Sequence, residues 1–190
     1  MKYIATMALM LNLGVAGLYA HERHVKMTFS GTAGPSSVDL EIPDRTTGGD
    51  NFNGNGTLGA FTFREVESNG GSPEQSSTCS GPYFTLTIGA GVLSFQDGSS
   101  LILNLTEGSD CIDPVKLEAQ CTRTFEIKRG TGRFKNVTGG SLTMTETLHP
   151  ILANALKMPA FFESTGEFTG TIFRVQMEED HPDEHQDEHQ

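Results

Sequence analysis

The chain has few basic residues, only three cysteines and no tryptophan, and these shortages narrow what it can be. Thirteen Lys and Arg stand against 24 Asp and Glu in 190 residues, for a net charge of −11. Such a surface repels phosphate backbones, so no nucleic-acid partner is expected. After the N-terminal leader no apolar run reaches about 18 residues, so no membrane span is expected there. Twenty-two glycines and 19% charged residues exclude a long coiled coil.

Residues 1–20 have the features of a signal peptide. Lys2 gives a basic start, residues 4–15 are apolar, and small residues lead up to Ala20. Cleavage is expected after Ala20, with Gly17 as the second choice and an uncleaved membrane anchor as the alternative. The mature protein is therefore predicted to be secreted or periplasmic.

Export would allow disulfide bonds, because oxidising compartments preserve them. Cys79, Cys111 and Cys121 permit three intramolecular pairings, and the sequence does not choose among them. Each pairing leaves one cysteine over. A structural role for that cysteine is favoured over a catalytic thiol, because no nearby His or Lys would activate it.

Between residues 21 and 176, apolar residues alternate with polar or small ones, which is the spacing of strands with one buried face. Glycine-rich breaks separate the runs, and Asp97-Gly98 predicts a hairpin. The pattern predicts an all-β domain: a single antiparallel β-barrel of about eight strands. The runs are residues 25–29, 38–42, 61–63, 84–88, 93–95, 101–105, 121–127, 142–144 and 169–175.

Residues 149–158 interrupt this alternation. Pro150 suits the first turn of a helix, helix-forming residues follow it, and Pro159 ends the segment. One short helix is predicted here, packed over a barrel mouth as a plug or lid.

Residues 177–190 contain seven acidic residues and no basic one, so the sequence predicts a disordered acidic tail. His181, His185 and His189 recur every four residues beside carboxylates. Such a pattern can hold Zn²⁺, Ni²⁺ or Cu²⁺. The alternative is a solvated tail whose histidines merely repeat.

His21 and His24 form a weaker candidate metal site at the start of the mature chain. Cleavage after Ala20 would give His21 a free α-amine, which can bind copper together with the imidazole ring. His149 is the one histidine outside the two ends that could complete such a site. The alternative is a polar, frayed N-terminus.

Three charged residues fall on faces that are predicted to point inward. Arg123, Glu146 and Glu65 each stand two positions from an apolar residue of the same strand. Charges inside a barrel need partners, so Arg123 with Glu146 or Glu65 is the candidate cavity site. Such a buried acid would suit general acid–base catalysis. The alternatives are a structural ion pair, or a register that turns these residues outward.

A resemblance to a known family rests on residues 130–139 (GTGRFKNVTG), on the strand before them and on residues 139–142. These residues are similar to a pattern of β-barrels of the allene oxide cyclase and dirigent type. Residues 56–61 and 97–99 resemble small exported bacterial relatives of that type. The resemblance implies a calycin-type barrel of eight strands with a central cavity. None of the family's functional residues matches a position here, so the resemblance does not imply its activities.

Together these features predict an exported barrel that binds a small apolar or aromatic ligand, because the inward Phe, Leu and Met residues favour one. One alternative is a cyclase- or isomerase-type enzyme that uses the inward charged residues. The other is extracytoplasmic metal binding through the His-rich tail.

Overall fold

The computed structural model describes residues 20–155 and 159–175, which form nine strands and one 3₁₀ turn at Gly132–Phe134. The predicted all-β class is confirmed. The strands are β1 (Ala20–Pro35), β2 (Thr46–Gly56), β3 (Phe61–Asn69), β4 (Tyr83–Leu86), β5 (Gly89–Phe95), β6 (Ser100–Asp113), β7 (Glu118–Thr131), β8 (Val137–Ala153) and β9 (Pro159–Val175).

Eight of these strands close into an antiparallel barrel, as predicted. Their order is β6-β5-β3-β2-β1-β9-β8-β7, and pairing between β6 and β7 joins the two ends. The short strand β4 stands outside this ring and pairs with the C-terminal part of β6. Closure pairs the strand edges that an open sheet would leave exposed.

The hairpin predicted at Asp97-Gly98 connects β5 and β6. The N–H of Phe95 donates to the Ser99 carbonyl at 2.9 Å, and the N–H of Gly98 donates to the Phe95 carbonyl at 3.0 Å. The Phe95–Ser99 hydrogen bond encloses three residues, and Gly98, the last of them, occupies the left-handed region with φ +79°. Glycine adopts this conformation without strain, which explains its position at the end of the loop.

Strand β2 is one that the sequence did not predict. Its sequence, TTGGDNFNGNG, is rich in glycine, and the Gly48-Gly49 pair is typical of a break between strands. Position 54 requires glycine, because a Cβ there would lie 2.3 Å from the Thr28 carbonyl and 2.5 Å from the Phe61 ring. Pairing with β1 and β3 on its two sides therefore overrides the low strand propensity of these residues. Conversely, residues 38–42 were predicted as a strand and form an irregular connection.

The helix predicted at residues 149–158 is wrong where the structure describes it. His149–Ala153 continue strand β8 and pair with β9, with register shifts next to Pro150 and Leu152. A helix of ten residues is marginal by itself, whereas the β8–β9 ladder supplies backbone partners directly. Residues 156–158 of this segment lie outside the described ranges. In the described part of the chain, no helix has the length and apolar character needed to cross a membrane.

A phenylalanine-rich core fills one part of the barrel interior. The rings of Phe29 and Phe52 stack with centroids 4.5 Å apart, and the ring of Phe168 lies 5.0 Å from that of Phe63. Both Phe63 and Phe168 are fully buried. Neighbouring aliphatic side chains, Leu142 among them, complete this core.

A disulfide bond between Cys79 and Cys111 ties the loop before β4 to β6, across 32 residues of sequence. The structure thus selects one of the three pairings left open by the sequence. Cys121 is the free cysteine, and it is buried. Burial raises the pKa of its thiol well above the ordinary value, with Asp110 adding to the effect. A neutral, enclosed thiol agrees with the structural role that the sequence favoured.

Replacing both Cys79 and Cys111 with serine is expected to lower the free energy of unfolding by about 3–4 kcal/mol, because the bridge restricts the unfolded chain. Urea unfolding of the variant and of the oxidised parent measures this difference. The reduced parent is the control, and it should unfold at nearly the same urea concentration as the variant. Equal midpoints for the variant and the oxidised parent would contradict the prediction.

Candidate functional site

Strand alternation brings five carboxylates and one guanidinium together inside the barrel. They come from five strands, β2, β3, β6, β7 and β8, at the level where the aromatic core ends. We call this set the acidic layer. Its members are Asp50, Glu65, Glu67, Asp110, Arg123 and Glu146.

Arg123 is the centre of the acidic layer, and its side chain is only 2% exposed. Two of its N–H groups, on Nε and Nη2, donate to the two oxygens of Glu67, the second at 2.6 Å. Its Nη1 donates to Oε1 of Glu146. The Ser164 hydroxyl donates to the other oxygen of Glu146 at 2.6 Å. Both glutamates are thus fixed by donors, and bidentate pairs of this kind are the strong ones.

Three further carboxylates surround the same guanidinium at longer range. Oδ2 of Asp50 and Oδ1 of Asp110 lie 3.9 and 3.8 Å from Nη2. Oε2 of Glu65 lies 3.8 Å from Nε. These distances exceed those of hydrogen bonds. One positive charge therefore faces five acids, two of which it hydrogen-bonds.

Several carboxyl oxygens in the layer have no hydrogen-bond partner among the described residues. They are both oxygens of Glu65, Oδ2 of Asp50 and Oδ1 of Asp110. The side chains of Glu65 and Asp50 are 0% and 2% exposed. Buried polar atoms nearly always find partners, and leaving one unpaired costs about 1–3 kcal/mol. The layer therefore contains more carboxyl oxygens than Arg123 and Ser164 satisfy.

Burial controls the protonation of the layer. It raises the pKa of Asp50 and of Glu65 well above their ordinary values, and the nearby charges of Glu146 and Glu67, respectively, raise them further. Burial also raises the pKa of Glu67, although Arg123 opposes the effect. For Arg123, burial lowers the pKa, but the charges of Glu67 and Glu146 outweigh it and the guanidinium stays protonated.

Replacing Glu65 with glutamine is expected to flatten the dependence of stability on pH. Glu65 binds its proton more tightly in the folded chain, so the free energy of unfolding falls as pH rises from about 4 toward the raised pKa. Without the Glu65 carboxyl group, the free energy of unfolding should fall less steeply with pH, by up to about 1.4 kcal/mol per pH unit. Urea unfolding between pH 5 and pH 8 measures it.

The control for this experiment is Glu167→Gln, on the outer face of β9. The Glu167 side chain is 40% exposed and pairs with Lys26. Its variant should follow the pH curve of the parent. Parallel curves for Glu65→Gln and the parent would show that Glu65 does not hold its proton in the fold.

The acidic layer lies between two apolar clusters. Along β8, Met144 belongs to the aromatic core, Glu146 to the layer and Leu148 to a smaller cluster nearer the β8–β9 hairpin. That cluster also contains Ala33, Ala119 and Cys121. The Asp110 side chain is 17% exposed, so solvent reaches the layer at this point. The site is enclosed, with one partly open side.

The structure places Arg123, Glu146 and Glu65 inside the barrel and close together, as their alternation predicted. A catalytic role for them stays a prediction. The sequence interpretation missed Glu67, although it follows Glu65 at the same spacing. It also missed Asp50, because the glycines around that residue hid strand β2.

Of the histidines predicted as metal ligands, His21 and His24 do not belong to this site. His21 and His24 are exposed on β1. His21 pairs with Arg174 and His149 with Glu163, eleven residues apart on β9 and hence about 35 Å apart along the strand. His149 therefore cannot complete a site at His21. His181, His185 and His189 lie outside the described residues.

Within the described ranges, the acidic layer contains a set of side chains that could hold a metal ion. Carboxylate oxygens of Asp50, Glu65 and Glu67 lie within 4.8 Å of one another, and all three residues are buried. Oxygen ligands of this type suit Ca²⁺, Mg²⁺ or Mn²⁺ better than the softer metals that imidazoles prefer.

Comparisons with protein-family models, with curated proteins and with solved structures find no match to this chain. The resemblance to allene oxide cyclase and dirigent barrels stays a prediction.

Proposed function

We propose that this protein is an exported binding barrel whose ligand is a cation held in the acidic layer. The observation that supports it is the imbalance around Arg123: five carboxyl groups face one guanidinium. Three of those groups, Asp50, Glu65 and Asp110, carry buried oxygens without a hydrogen-bond partner in the described chain. A bound cation would displace the protons that burial favours on Asp50 and Glu65 and would supply the coordination and positive charge in their place.

The proposed ligand differs in chemistry from the apolar or aromatic molecule predicted from the sequence. The inward Phe, Leu and Met side chains that favoured such a ligand pack against one another in the aromatic core. Ligand sites need convergent polar groups to orient the bound molecule. In the described interior, such groups belong to the acidic layer.

Two observations support the remaining parts of the proposal. The Cys79–Cys111 bridge agrees with an oxidising compartment, where disulfides persist, and so with the predicted export. Asp110, partly exposed at the rim of the layer, offers a negatively charged point of entry for a cation.

Thermal unfolding of the full-length protein with a panel of cations tests the proposal. The panel contains Ca²⁺, Mn²⁺, Mg²⁺ and small alkylammonium ions, with neutral alcohols of matched size as controls. A cation that binds the folded state should raise the unfolding temperature as its concentration increases. The increase should be lost in Asp50→Asn and Glu65→Gln and retained in Glu167→Gln. A panel without effect on the parent protein would contradict the proposed function.

The acid–base enzyme remains the second candidate, favoured by the raised pKa of Glu65 beside Arg123. A protonated carboxyl next to a cation can act as a general acid in a cyclisation or isomerisation. Chromatography with mass detection distinguishes the two functions. A product of equal mass and different retention supports the enzyme, whereas a molecule recovered unchanged does not.

A further inference from the structure

We propose that Asp50, Glu65 and Glu67 form a binding site for one hard divalent cation, Ca²⁺ or Mn²⁺, inside the barrel. This inference rests on the proposed function, because it names the cation that the acidic layer would hold. The three side chains come from neighbouring strands, and Asp50 on β2 is paired directly with Glu65 on β3.

The spacing of the oxygens fits such an ion. One carboxylate oxygen from each residue lies within 4.8 Å of the other two. Bonds from Ca²⁺ to oxygen are about 2.4 Å long, so ligands on opposite sides of the ion stand about 4.8 Å apart. The three oxygens are therefore close enough together to share one such ion.

The second observation is that oxygens of the proposed ligands lack hydrogen-bond partners. Both oxygens of Glu65 and Oδ2 of Asp50 are buried and have no hydrogen-bond partner among the described residues. The Glu65 side chain is 0% exposed and lies close to Arg123, and one of its oxygens lies within 4.8 Å of an oxygen of Asp50 and of an oxygen of Glu67. Unpartnered buried oxygens that converge on one space are what a metal site needs before the ion arrives.

Arg123 orients Glu67 and leaves it able to bind an ion. Its Nε and Nη2 each donate to one oxygen of Glu67. Each carboxylate oxygen has two acceptor sites, so one site per oxygen remains for a metal. The positive charge of Arg123 opposes an incoming ion, and the five carboxyl groups of the layer outnumber it. Arg123 is therefore a positioning residue for Glu67.

The donor set separates this site from the histidine tail. Its three ligands are carboxylate oxygens, which select hard cations such as Ca²⁺ and Mn²⁺. The tail histidines would instead favour Zn²⁺, Ni²⁺ or Cu²⁺. The two sites can therefore be told apart by the metal that each one takes.

Calorimetric titration of the chelator-treated full-length protein with Ca²⁺ and with Mn²⁺ tests the site. We expect one ion per chain, with affinity reduced at least tenfold in Glu65→Gln and in Asp50→Asn. Glu167→Gln is the matched surface control and should bind as the parent does. A variant with His181, His185 and His189 replaced by alanine should also bind normally. Unchanged affinity in both layer variants, or loss of binding in the tail variant, would overturn the assignment.

Paramagnetic broadening of amide signals by Mn²⁺ locates the ion in the unaltered protein, so the test does not depend on a variant that folds poorly. Broadening should centre on Asp50, Glu65 and Glu67, and broadening centred on residues 177–190 would overturn the proposal. If no hard divalent ion binds but alkylammonium ions raise the unfolding temperature, the metal assignment fails and the proposed function stands. If neither binds, both fail.

Discussion

Replacing Arg123 with methionine is expected to lower the free energy of unfolding by about 3–5 kcal/mol at pH 7. Arg123 donates three hydrogen bonds to Glu67 and Glu146, and all three side chains are at most 4% exposed. Without the guanidinium, these glutamates would be buried without a counter-charge. Urea unfolding monitored by circular dichroism measures the loss.

Two comparisons make the Arg123 experiment specific. Arg64→Met changes an arginine on the exposed face of β3 and should alter stability by less than about 0.5 kcal/mol. Arg123→Lys keeps the charge but cannot form the two parallel bonds to Glu67, so its stability should lie between that of the parent and that of Arg123→Met. If Arg123→Met were as stable as the parent, Glu67 and Glu146 would not need this counter-charge in the fold.

Replacing Phe168 with alanine is expected to lower the free energy of unfolding by about 3–5 kcal/mol, the usual cost of removing a buried phenylalanine ring. The Phe168 ring is fully buried and lies 5.0 to 6.4 Å from four other rings. Because those rings come from three other strands, β1, β3 and β7, they cannot all move to fill the space. The control is Phe173→Ala, whose ring is 38% exposed on the same strand and should contribute much less.

The same variant tests the apolar-ligand prediction made from the sequence. A cavity lined by apolar side chains stays dry and binds molecules such as benzene. Benzene should therefore raise the unfolding temperature of Phe168→Ala and leave that of the parent unchanged. A rise in the parent would show that the aromatic core already has room for an aromatic ligand, and the apolar-ligand interpretation would be favoured over the cation.

Part of the candidate site was predictable because it depends on local alternation alone. In a strand, side chains two positions apart share a face, so the apolar neighbours of Arg123, Glu146 and Glu65 required these residues to face inward too. Glu67 was predictable by the same argument. Asp50 was not, because the surrounding glycines resemble a turn until β1 and β3 pair with them.

The sequence by itself determined the all-β class, the approximate number of strands, the β5–β6 hairpin and the inward charges. Each of these follows from a period-two pattern or a turn signal within a few residues. The tertiary structure decided which cysteines pair, that His149–Ala153 extend β8, and that five acids meet at one arginine. These features depend on residues far apart in the chain. Barrel closure and strand register bring them into contact, and neither is encoded in any single segment.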